Sequence, residues 1–185
     1  MKSVKTFGML VTAFLFLNYA SAQQQAVEVG GAAMYPSKNI VENAVNSKDH
    51  TTLVAAVKAA GLVETLQTAG PLTVFAPTNA AFDMLPKGTV ETLLKPENKA
   101  MLTGILTYHV VTGRIDASEL SRLIKAGNGK AELKTVAGGK LWASMSGNRV
   151  MIMDEQGSTA TITIKDVYQS NGVIHVIDHV VLPKS

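Results

Sequence analysis

Histidine is the residue type in this chain best suited to metal binding or proton transfer, and four are present, His50, His109, His175 and His179. The closest two, His175 and His179, would lie on one face of a helix, as the zinc ligands of some proteases do. The residues around them are mainly Val and Ile, however, and these favour a strand. A strand rises about 3.3 Å per residue and would separate the two imidazoles by roughly 13 Å. Two ligands of one zinc ion, each about 2 Å from the metal, cannot lie that far apart, so we predict no metal site.

Nucleophilic catalysis has no local signature in the sequence. The chain has no Cys and no Gly-x-Ser-x-Gly elbow, so a hydrolase would need Ser, His and Asp brought together from separate segments. Residues 127–130, Gly-Asn-Gly-Lys, resemble part of a phosphate loop but lack the outer glycine spacing and the Ser or Thr after Lys. Strand-like segments flank them, which favours a turn at the approach to a hairpin. We therefore expect a protein that is not an enzyme and needs no cofactor.

The overall composition indicates a folded globular protein, because 46% of the residues are hydrophobic and 17% are charged. The formal net charge is +3, and two of these charges come from Lys2 and Lys5 near the N-terminus. No cluster of Lys or Arg stands out, and aromatic residues make up only 5% of the chain. The sequence therefore does not predict a basic surface with aromatic residues for base stacking, and we expect no nucleic-acid partner.

The first 22 residues have the pattern of a cleavable signal peptide. Lys2 and Lys5 precede an apolar run at residues 7–17, and residues 20–22, Ala-Ser-Ala, form a small-x-small cleavage site. The apolar run is shorter than the roughly 20 residues that a membrane-spanning helix needs. We expect cleavage after Ala22, a secreted or periplasmic protein, and no membrane span after cleavage. Because the chain has no Cys, we expect an exported domain with neither a lipoprotein anchor nor disulfides.

The rest of the chain divides into a flexible leader, residues 23–36, and one domain, residues 37–185. In the first half of the domain, apolar residues recur mostly at helical spacing. One buried strand is expected at residues 72–76, where Pro77 closes a run of β-forming residues. The side chains expected to cap helices in this half are Ser37, Asp49, Thr78 and Asp116.

After Gly129 the pattern changes to strand-length runs separated by glycine turns. Helices therefore dominate the first half and hairpins the second, which is the plan of an α+β domain without alternating β-α-β units. The strands predicted for the second half are residues 131–136, 140–145, 149–153, 159–167 and 173–182.

Three segments follow one another in a characteristic order along the domain. Residues 73–82 are Thr-Val-Phe-Ala-Pro-Thr-Asn-Ala-Ala-Phe, and Leu-Pro follows at 85–86. Residues 105–111 are Ile-Leu-Thr-Tyr-His-Val-Val. Residues 171–178 are Asn-Gly-Val-Ile-His-Val-Ile-Asp, and Val-Leu-Pro follows at 181–183. Together, in this order and at this spacing, the three segments resemble the fasciclin (FAS1) family.

The resemblance implies a wedge-shaped β-sheet with helices clustered in the N-terminal half and a hairpin-rich C-terminal half. It also implies a bacterial, secreted, single-domain member with a role in cell adhesion at a surface or in a matrix. Packing and turn formation account for most side chains in the three segments without a ligand. The residues expected to hold these segments in place are Thr73, Phe75, Pro77, Thr78, Asn79, Phe82, His175 and Asp178.

Tyr108 and His109 are the candidate binding residues, because the Tyr-His segment of the family has been linked to adhesion and integrin contact. The residues themselves also allow a structural role, with a bonded hydroxyl on a packed Tyr108 and a His109 that bridges the junction between helix and strand. The chain lacks Arg-Gly-Asp, and its nearest string, residues 113–116, is Gly-Arg-Ile-Asp. The sequence leaves both roles open.

Asp178 conflicts with a regular last strand. Strict alternation would place His175 and His179 on one face and Asp178 on the other, so that a polar side chain faces inward on either choice. We predict a bulge or bend near Ile177 that lets Asp178 bond to the backbone or to a neighbouring side chain.

The sequence favours an exported, non-catalytic binding and adhesion module whose partner is a surface or extracellular protein or polymer. The alternative is a periplasmic carrier of a small apolar ligand, since the chain is rich in apolar residues and has eight methionines. An enzyme with an unrecognised site is the third hypothesis. A structure without an enclosed cavity would remove the carrier hypothesis.

Overall fold

The computed structural model describes residues 25–68 and 70–184, and the predicted signal peptide lies outside these residues. The described helices are α1 (Ile40–Ala44), α2 (Thr51–Ala60), α3 (Val63–Thr68), α4 (Asn79–Asp83), α5 (Thr89–Leu93), α6 (Lys99–Tyr108) and α7 (Ala117–Ala126). The described strands are β1 (Val27–Val29), β2 (Ala32–Met34), β3 (Leu72–Pro77), β4 (Val110–Thr112), β5 (Lys130–Lys134), β6 (Lys140–Ser146), β7 (Arg149–Met153), β8 (Thr159–Gln169) and β9 (Gly172–Ile177). All of these described helices precede residue 127 and successive hairpins follow it, which confirms the predicted α+β plan. None of the described helices is long and apolar enough to cross a membrane.

Seven of the described strands form one sheet, in the order β4, β3, β9, β8, β7, β6, β5. From β5 to β9 each strand pairs antiparallel with the next, as successive hairpins do. Strands β3 and β9 pair in parallel, and every residue of both is buried. Strands covered on both faces lie at the centre of a domain. This central pair joins the first and third family-like segments and places Phe75 opposite His175.

A sharp turn connects β3 to α4. Pro77 ends the strand, and the hydroxyl of Thr78 accepts the N–H of Ala81 at 3.3 Å, which caps the short helix. Phe82 then lies buried among the residues beneath the helices. The turn therefore returns the chain directly onto the core.

Helix α1 is capped by Asn39 and not by Ser37. The Asn39 side chain accepts the N–H of Glu42 at 2.9 Å, and the Glu42 carboxylate accepts the N–H of Asn39 at 2.8 Å. This capping box satisfies two backbone donors at once. Because the helix begins at Ile40, Ser37 lies too early in the chain to cap it.

The predicted cap of α2, Asp49, lies within a 3₁₀ turn that precedes the helix. The remote Asn79 takes its place, since its side-chain oxygen accepts the N–H of Thr52 at 3.0 Å and the hydroxyl of Thr51 at 3.2 Å. The Asn79 amide also donates to the carbonyl oxygen of Lys48 at 2.8 Å. Local sequence cannot reveal a cap that comes from another helix. Asn79 thus ties the start of α2 to α4.

The structure differs from the predicted flexible leader between residues 27 and 34. Strands β1 and β2 form a hairpin there, and Val29 and Met34 are buried in the core. Gly30 and Gly31, with φ values of 60° and 73°, form the turn, a conformation that glycine adopts without the penalty of a Cβ. Two buried apolar side chains anchor a segment whose composition alone indicated a linker.

The last strand is shorter than predicted, because β9 ends at Ile177 and residues 178–182 leave the sheet. The pairing irregularity lies in the neighbouring β8, between Ile162 and Val167, and not in β9 itself. Asp178 accepts the N–H of Thr161 at 2.6 Å. Because the chain leaves the sheet after Ile177, the Asp178 side chain can bond to the backbone without facing the core.

Buried apolar residues form two clusters. The helical core comprises buried residues of β1, β2, α1, α2 and α4 to α6 together with the residues of β3 and β9 that face them, such as Val74 and Val176. The meander core comprises buried residues of β5 to β8 and α7 together with Phe75 and Tyr108. Alternation along β3 therefore sends neighbouring side chains into different cores.

Candidate functional site

Tyr108 ends α6 and is fully buried, 0% exposed, in the meander core. Its hydroxyl donates to the carbonyl oxygen of Lys140 at 2.6 Å and accepts the N–H of Glu155 at 3.1 Å. Burial raises the pKa of Tyr108 to about 12, because a phenolate is disfavoured away from water. A Cβ on Gly139 would lie 2.7 Å from the Tyr108 ring. The turn before β6 can therefore pack against this ring only with glycine at position 139. Tyr108 therefore joins α6 to the hairpin region.

His109 follows directly and is 3% exposed. Its Nδ1 lies 2.8 Å from the carbonyl oxygen of Ile105, and its Nε2 lies 3.2 Å from the backbone nitrogen of Val181. A carbonyl only accepts and an amide N–H only donates, so Nδ1 carries the proton and Nε2 accepts. Burial lowers the pKa of His109 to about 4, because a charged imidazolium is disfavoured in an apolar environment. The ring is therefore neutral at neutral pH.

The main chain occupies the polar atoms of both candidate binding residues. A ligand could reach the hydroxyl of Tyr108 or the nitrogens of His109 only after displacement of the elements that cover them. The geometry favours the structural role that the sequence left open. Binding through the side chains of Tyr108 and His109 stays a prediction.

His175 occupies the centre of the sheet, stacked on Phe75 with ring centroids 5.8 Å apart. Its Nε2 lies 2.9 Å from the carbonyl oxygen of Ile115, and its Nδ1 accepts the N–H of Asp166 at 3.4 Å. Burial lowers the pKa of His175. The hydroxyl of Thr73 accepts the N–H of Ile115 at 2.8 Å. These side chains secure the segment before α7 against the central strands.

The four histidines do not converge on one point. His175 is buried in β9, whereas His179 is half-exposed, with its Nδ1 2.8 Å from Oδ1 of Asp178. His50 is buried before α2, and its Nδ1 lies 2.9 Å from the hydroxyl oxygen of Ser47. Within residues 25–68 and 70–184, no group of three or more His, Asp or Glu side chains is placed to hold a metal ion.

An apolar cavity of about 240 Å³ lies between the sheet and helices α1, α2, α3 and α6. We call it the helical cavity. Buried residues such as Val74, Leu106 and His109 form its inner surface. Its opening is marked by the exposed lining residues Val45, Lys58 and Gln67. Because the inner surface is aliphatic apart from one aromatic ring and a neutral imidazole, the cavity suits an apolar molecule.

A second apolar cavity, of about 150 Å³, lies on the far side of Leu106 and His109, which line both. We call it the rear cavity. Its other walls come from α4, α5, α6 and the C-terminal segment, including Phe82 and Val180. Two side chains therefore separate two apolar spaces under the helices.

A polar groove of about 450 Å³ runs along β7 and β8 beside the start of α7. The exposed side chains of Arg149 and Lys165 line it, together with the hydroxyls of Ser121, Thr161 and Thr163. Its lining residues include no carboxylate. The groove therefore presents positive charge and hydrogen-bonding groups to solvent.

Comparison with known proteins identifies the family. A family model described as the fasciclin domain matches residues 48–183. The chain belongs to the fasciclin family. The match spans the three segments that carried the resemblance, with the buried Tyr-His pair at its centre.

Relatives of this fasciclin chain occur in bacteria and animals. Protein sll1483 of Synechocystis sp. is 47% identical over 160 residues, which cover 86% of this chain and 82% of that protein. Transforming growth factor-beta-induced protein ig-h3 of Sus scrofa is 38% identical over 131 residues, which cover 71% of this chain and 17% of that protein. A solved FAS1 domain pair from the insect cell adhesion molecule Fasciclin I matches with a TM-score of 0.57 and 21% identity, over 76% of this chain and 45% of that one. At that identity the structural likeness shows the fold alone.

Sequence reasoning missed the helical cavity, the rear cavity and the polar groove of this fasciclin domain, because their lining residues come from separate segments of the chain. A partial signal for the helical cavity does exist. Helices α1, α2 and α3 carry Val41, Val54, Val57 and Val63, which are all only partly buried. An exposed helix face of an isolated domain does not need so many β-branched apolar residues. No comparable signal marks the groove.

Proposed function

We propose that this chain is an exported, non-catalytic binding module that attaches to an extracellular polymer or a surface protein. The polar groove carries the proposal, because it is concave, open to solvent and lined by Arg149, Lys165 and several hydroxyls. The side chains best suited to catalysis, Tyr108, His109 and His175, are instead buried and hydrogen-bonded to the main chain.

Adhesion and export rest on two further observations. Membership of the fasciclin family supports adhesion, while the solved FAS1 pair from an insect cell adhesion molecule contributes only the shared fold. The predicted signal peptide, residues 1–22, and the absence of Cys fit a chain that is processed and released into the periplasm or the medium. The folded module then includes the hairpin of β1 and β2 in addition to the predicted domain.

The chemistry of the groove favours an acidic polymer as the partner. Two exposed cations without a lining carboxylate attract carboxylate or sulfate groups. The neighbouring hydroxyls donate their protons within the protein, so they can accept hydrogen bonds from sugar hydroxyls. Charges at an exposed surface are screened over about 8 Å at physiological ionic strength. Binding should therefore weaken as salt is added.

The test is retention of the mature chain, residues 23–185, on immobilised alginate and on neutral dextran. We expect retention on alginate only, and roughly tenfold weaker binding for Arg149→Glu with Lys165→Glu. The matched control, Lys95→Glu with Lys134→Glu, makes the same change of charge away from the groove and should bind like the unmodified chain. Equal weakening in both double variants would assign retention to net charge and remove the groove as the site.

The family-based prediction for Tyr108 and His109 can be tested in the same assay. A Tyr108→Phe, His109→Gln variant that remains folded should retain its affinity for alginate, because neither side chain faces the groove. Loss of retention without loss of fold would assign binding to the Tyr-His segment.

A carrier of small apolar molecules is the second candidate function. The helical cavity favours it, since a space of about 240 Å³ with an aliphatic lining exceeds the about 150 Å³ engineered cavity that holds benzene in another protein. Binding of an apolar probe in this cavity, followed by the methyl NMR signals of Val54 and Val57, tests this function.

A further inference from the structure

We propose that the helical cavity binds a small alkyl carboxylate, with the alkyl chain inside and the carboxylate at the opening beside Lys58. The proposal rests on the carrier function and adds the chemical class of the ligand. It assigns one charged residue of the opening, Lys58, a role in selecting that class.

The inside of the cavity determines the apolar part of the ligand. Leu53, Val74, Leu106 and Val110 are buried aliphatic residues on its surface. His109, the only titratable side chain of the inner surface, bonds to the main chain through both ring nitrogens. A ligand atom inside the cavity therefore meets no free polar partner, and burial of a polar ligand group there would be unfavourable.

The opening determines the polar part. Among the described lining residues Lys58 is the only one with a formal charge at neutral pH, and Gln67 is the only other exposed polar one. No Asp or Glu of the described ranges lines the cavity. Among the described residues, no carboxylate lies within ion-pair distance of the Lys58 ammonium. An anionic headgroup at the opening would gain this cation and an amide donor, whereas a cationic headgroup would meet only repulsion.

The end of α2 does not oppose such a headgroup strongly. Lys58 lies in the last turn, where helix carbonyls carry partial negative charge. The N–H of Gly61 bonds to the Lys58 carbonyl at 3.0 Å, and the N–H of Leu62 bonds to the Val57 carbonyl at 3.0 Å. These bonds engage two carbonyls at the end of α2, and the Lys99 ammonium also lies near Gly61, so positive charge prevails at this end of the helix.

The cavity volume sets the length of the chain. If about 150 Å³ accommodates a six-carbon ring, then about 240 Å³ accommodates roughly ten non-hydrogen atoms at the same density. A carboxylate with eight to ten carbons in all therefore fits. A longer chain requires Leu106 and His109 to move apart and connect the rear cavity.

Calorimetric titration of the mature chain with octanoate, decanoate, 1-decanol and decyltrimethylammonium tests the proposal. Decanoate should bind most tightly of the four probes. Each methylene added to octanoate should raise the affinity about fourfold. The methyl signals of Val54, Val57 and Leu66 should shift on binding. Added salt should weaken decanoate binding and leave 1-decanol binding unchanged.

Variants at the opening separate the headgroup from the cavity. Lys58→Met should weaken decanoate binding about threefold and Lys58→Glu about tenfold, with no change for 1-decanol. The control Lys95→Glu changes the same charge elsewhere and should have no effect. Ala44→Trp places a large side chain at the cavity wall and should abolish binding of both ligands while circular dichroism stays unchanged. If that variant fails to fold, Val57→Phe is used instead and should also abolish binding of decanoate and 1-decanol.

The possible outcomes distinguish the carboxylate assignment from the carrier function. Selective loss of decanoate binding in the Lys58 variants supports the proposal. Equal binding of decanoate and 1-decanol, insensitive to Lys58, overturns the carboxylate assignment and leaves the carrier function standing. Absence of binding by all four probes overturns both.

Discussion

The helical core and the meander core use similar aliphatic residues but fill their space to different degrees. In the meander, β5, β6 and β7 pair in unbroken register, and Leu141, Ala143 and Ile152 have no exposed surface. Under the helices, α1 has five residues and α3 has six, and a cavity of about 240 Å³ remains. Hydrogen bonds between paired strands fix a continuous surface on which side chains alternate at regular spacing, whereas short helices at about 8–10 Å from one another need long side chains to fill the gaps between them. In this fold, hairpins provide a closed core and short helices leave space for a ligand.

The largest test of this contrast is a pair of matched truncations. Leu141→Ala leaves a void in a closed core and should lower the free energy of unfolding by about 3–5 kcal/mol. Leu53→Ala enlarges a space that already exists and should cost only about 2 kcal/mol. Urea unfolding followed by circular dichroism measures both. Equal losses would show that the two cores are equally well packed.

Acid should also destabilise the helical half of the molecule more than the hairpin half. Residues 130–169 contain no His, while His50 and His109 belong to the helical half. The pKa of His109 is about 4 in the fold against an ordinary value of 6.5, a difference worth about 3 kcal/mol. The unfolded chain binds this proton more tightly, so stability is complete above pH 6.5 and falls as the pH drops towards 4. Burial also lowers the pKa of His50 and His175, and both act in the same direction.

Hydrogen exchange at pH 7 and pH 5, corrected for its intrinsic pH dependence, measures this difference. Amides of α2 and α6 should lose protection before those of β5 to β7. His109→Gln keeps a donor and an acceptor but cannot be protonated, so it should flatten the pH dependence of unfolding. An unchanged pH profile in this variant would remove His109 as the main acid-sensitive group.

Removal of the Tyr108 hydroxyl, which connects the two halves, should lower the free energy of unfolding by a smaller amount. Tyr108→Phe leaves the carbonyl of Lys140 and the N–H of Glu155 without their partner, at a cost of about 2 kcal/mol. Tyr168→Phe is the matched control, because its hydroxyl bonds at 3.2 Å to Asp116 on a partly exposed surface and should cost below about 1 kcal/mol. Fluorescence of Trp142 in β6 follows unfolding of both. Equal losses would mean that the hydroxyl of Tyr108 does not hold the halves together.

Local signals predicted most of the fold, because hairpins and helix caps are short-range features. Glycine turns located β6 and β7 to within a residue, and Thr78 and Asp116 cap the helices where their types indicate. The cap of α1 was misplaced by two residues, from Asn39 to Ser37, and the larger errors arose where a distant segment supplies the missing group. Asn79 takes the place of a local cap for α2, and core contacts of Val29 and Met34 order a segment whose composition indicated a leader.

The candidate site was less predictable for a similar reason. The Tyr-His segment was visible in the sequence, but its burial depends on Gly139 and Val181, which lie far along the chain. The cavities are spaces and not motifs, and they result from how short helices meet the sheet. Only the partly exposed valines of α1 to α3 indicate such a space in advance.

The smallest expected effect concerns Asp178, where the chain leaves the closed half of the sheet. Partial burial alone would raise the pKa of this carboxyl, but hydrogen bonds from His179 and Thr161 outweigh it and hold the pKa below its usual value. Asp178→Ala removes the acceptor of the Thr161 N–H and should cost about 1 kcal/mol, which lowers the melting temperature by about 2–4 °C. Asp178→Asn keeps an acceptor for the Thr161 N–H and removes only the negative charge beside the half-exposed His179, so its melting temperature should stay within about 1 °C. An unchanged melting temperature in Asp178→Ala would show that β8 and β9 hold this end of the sheet without the side chain.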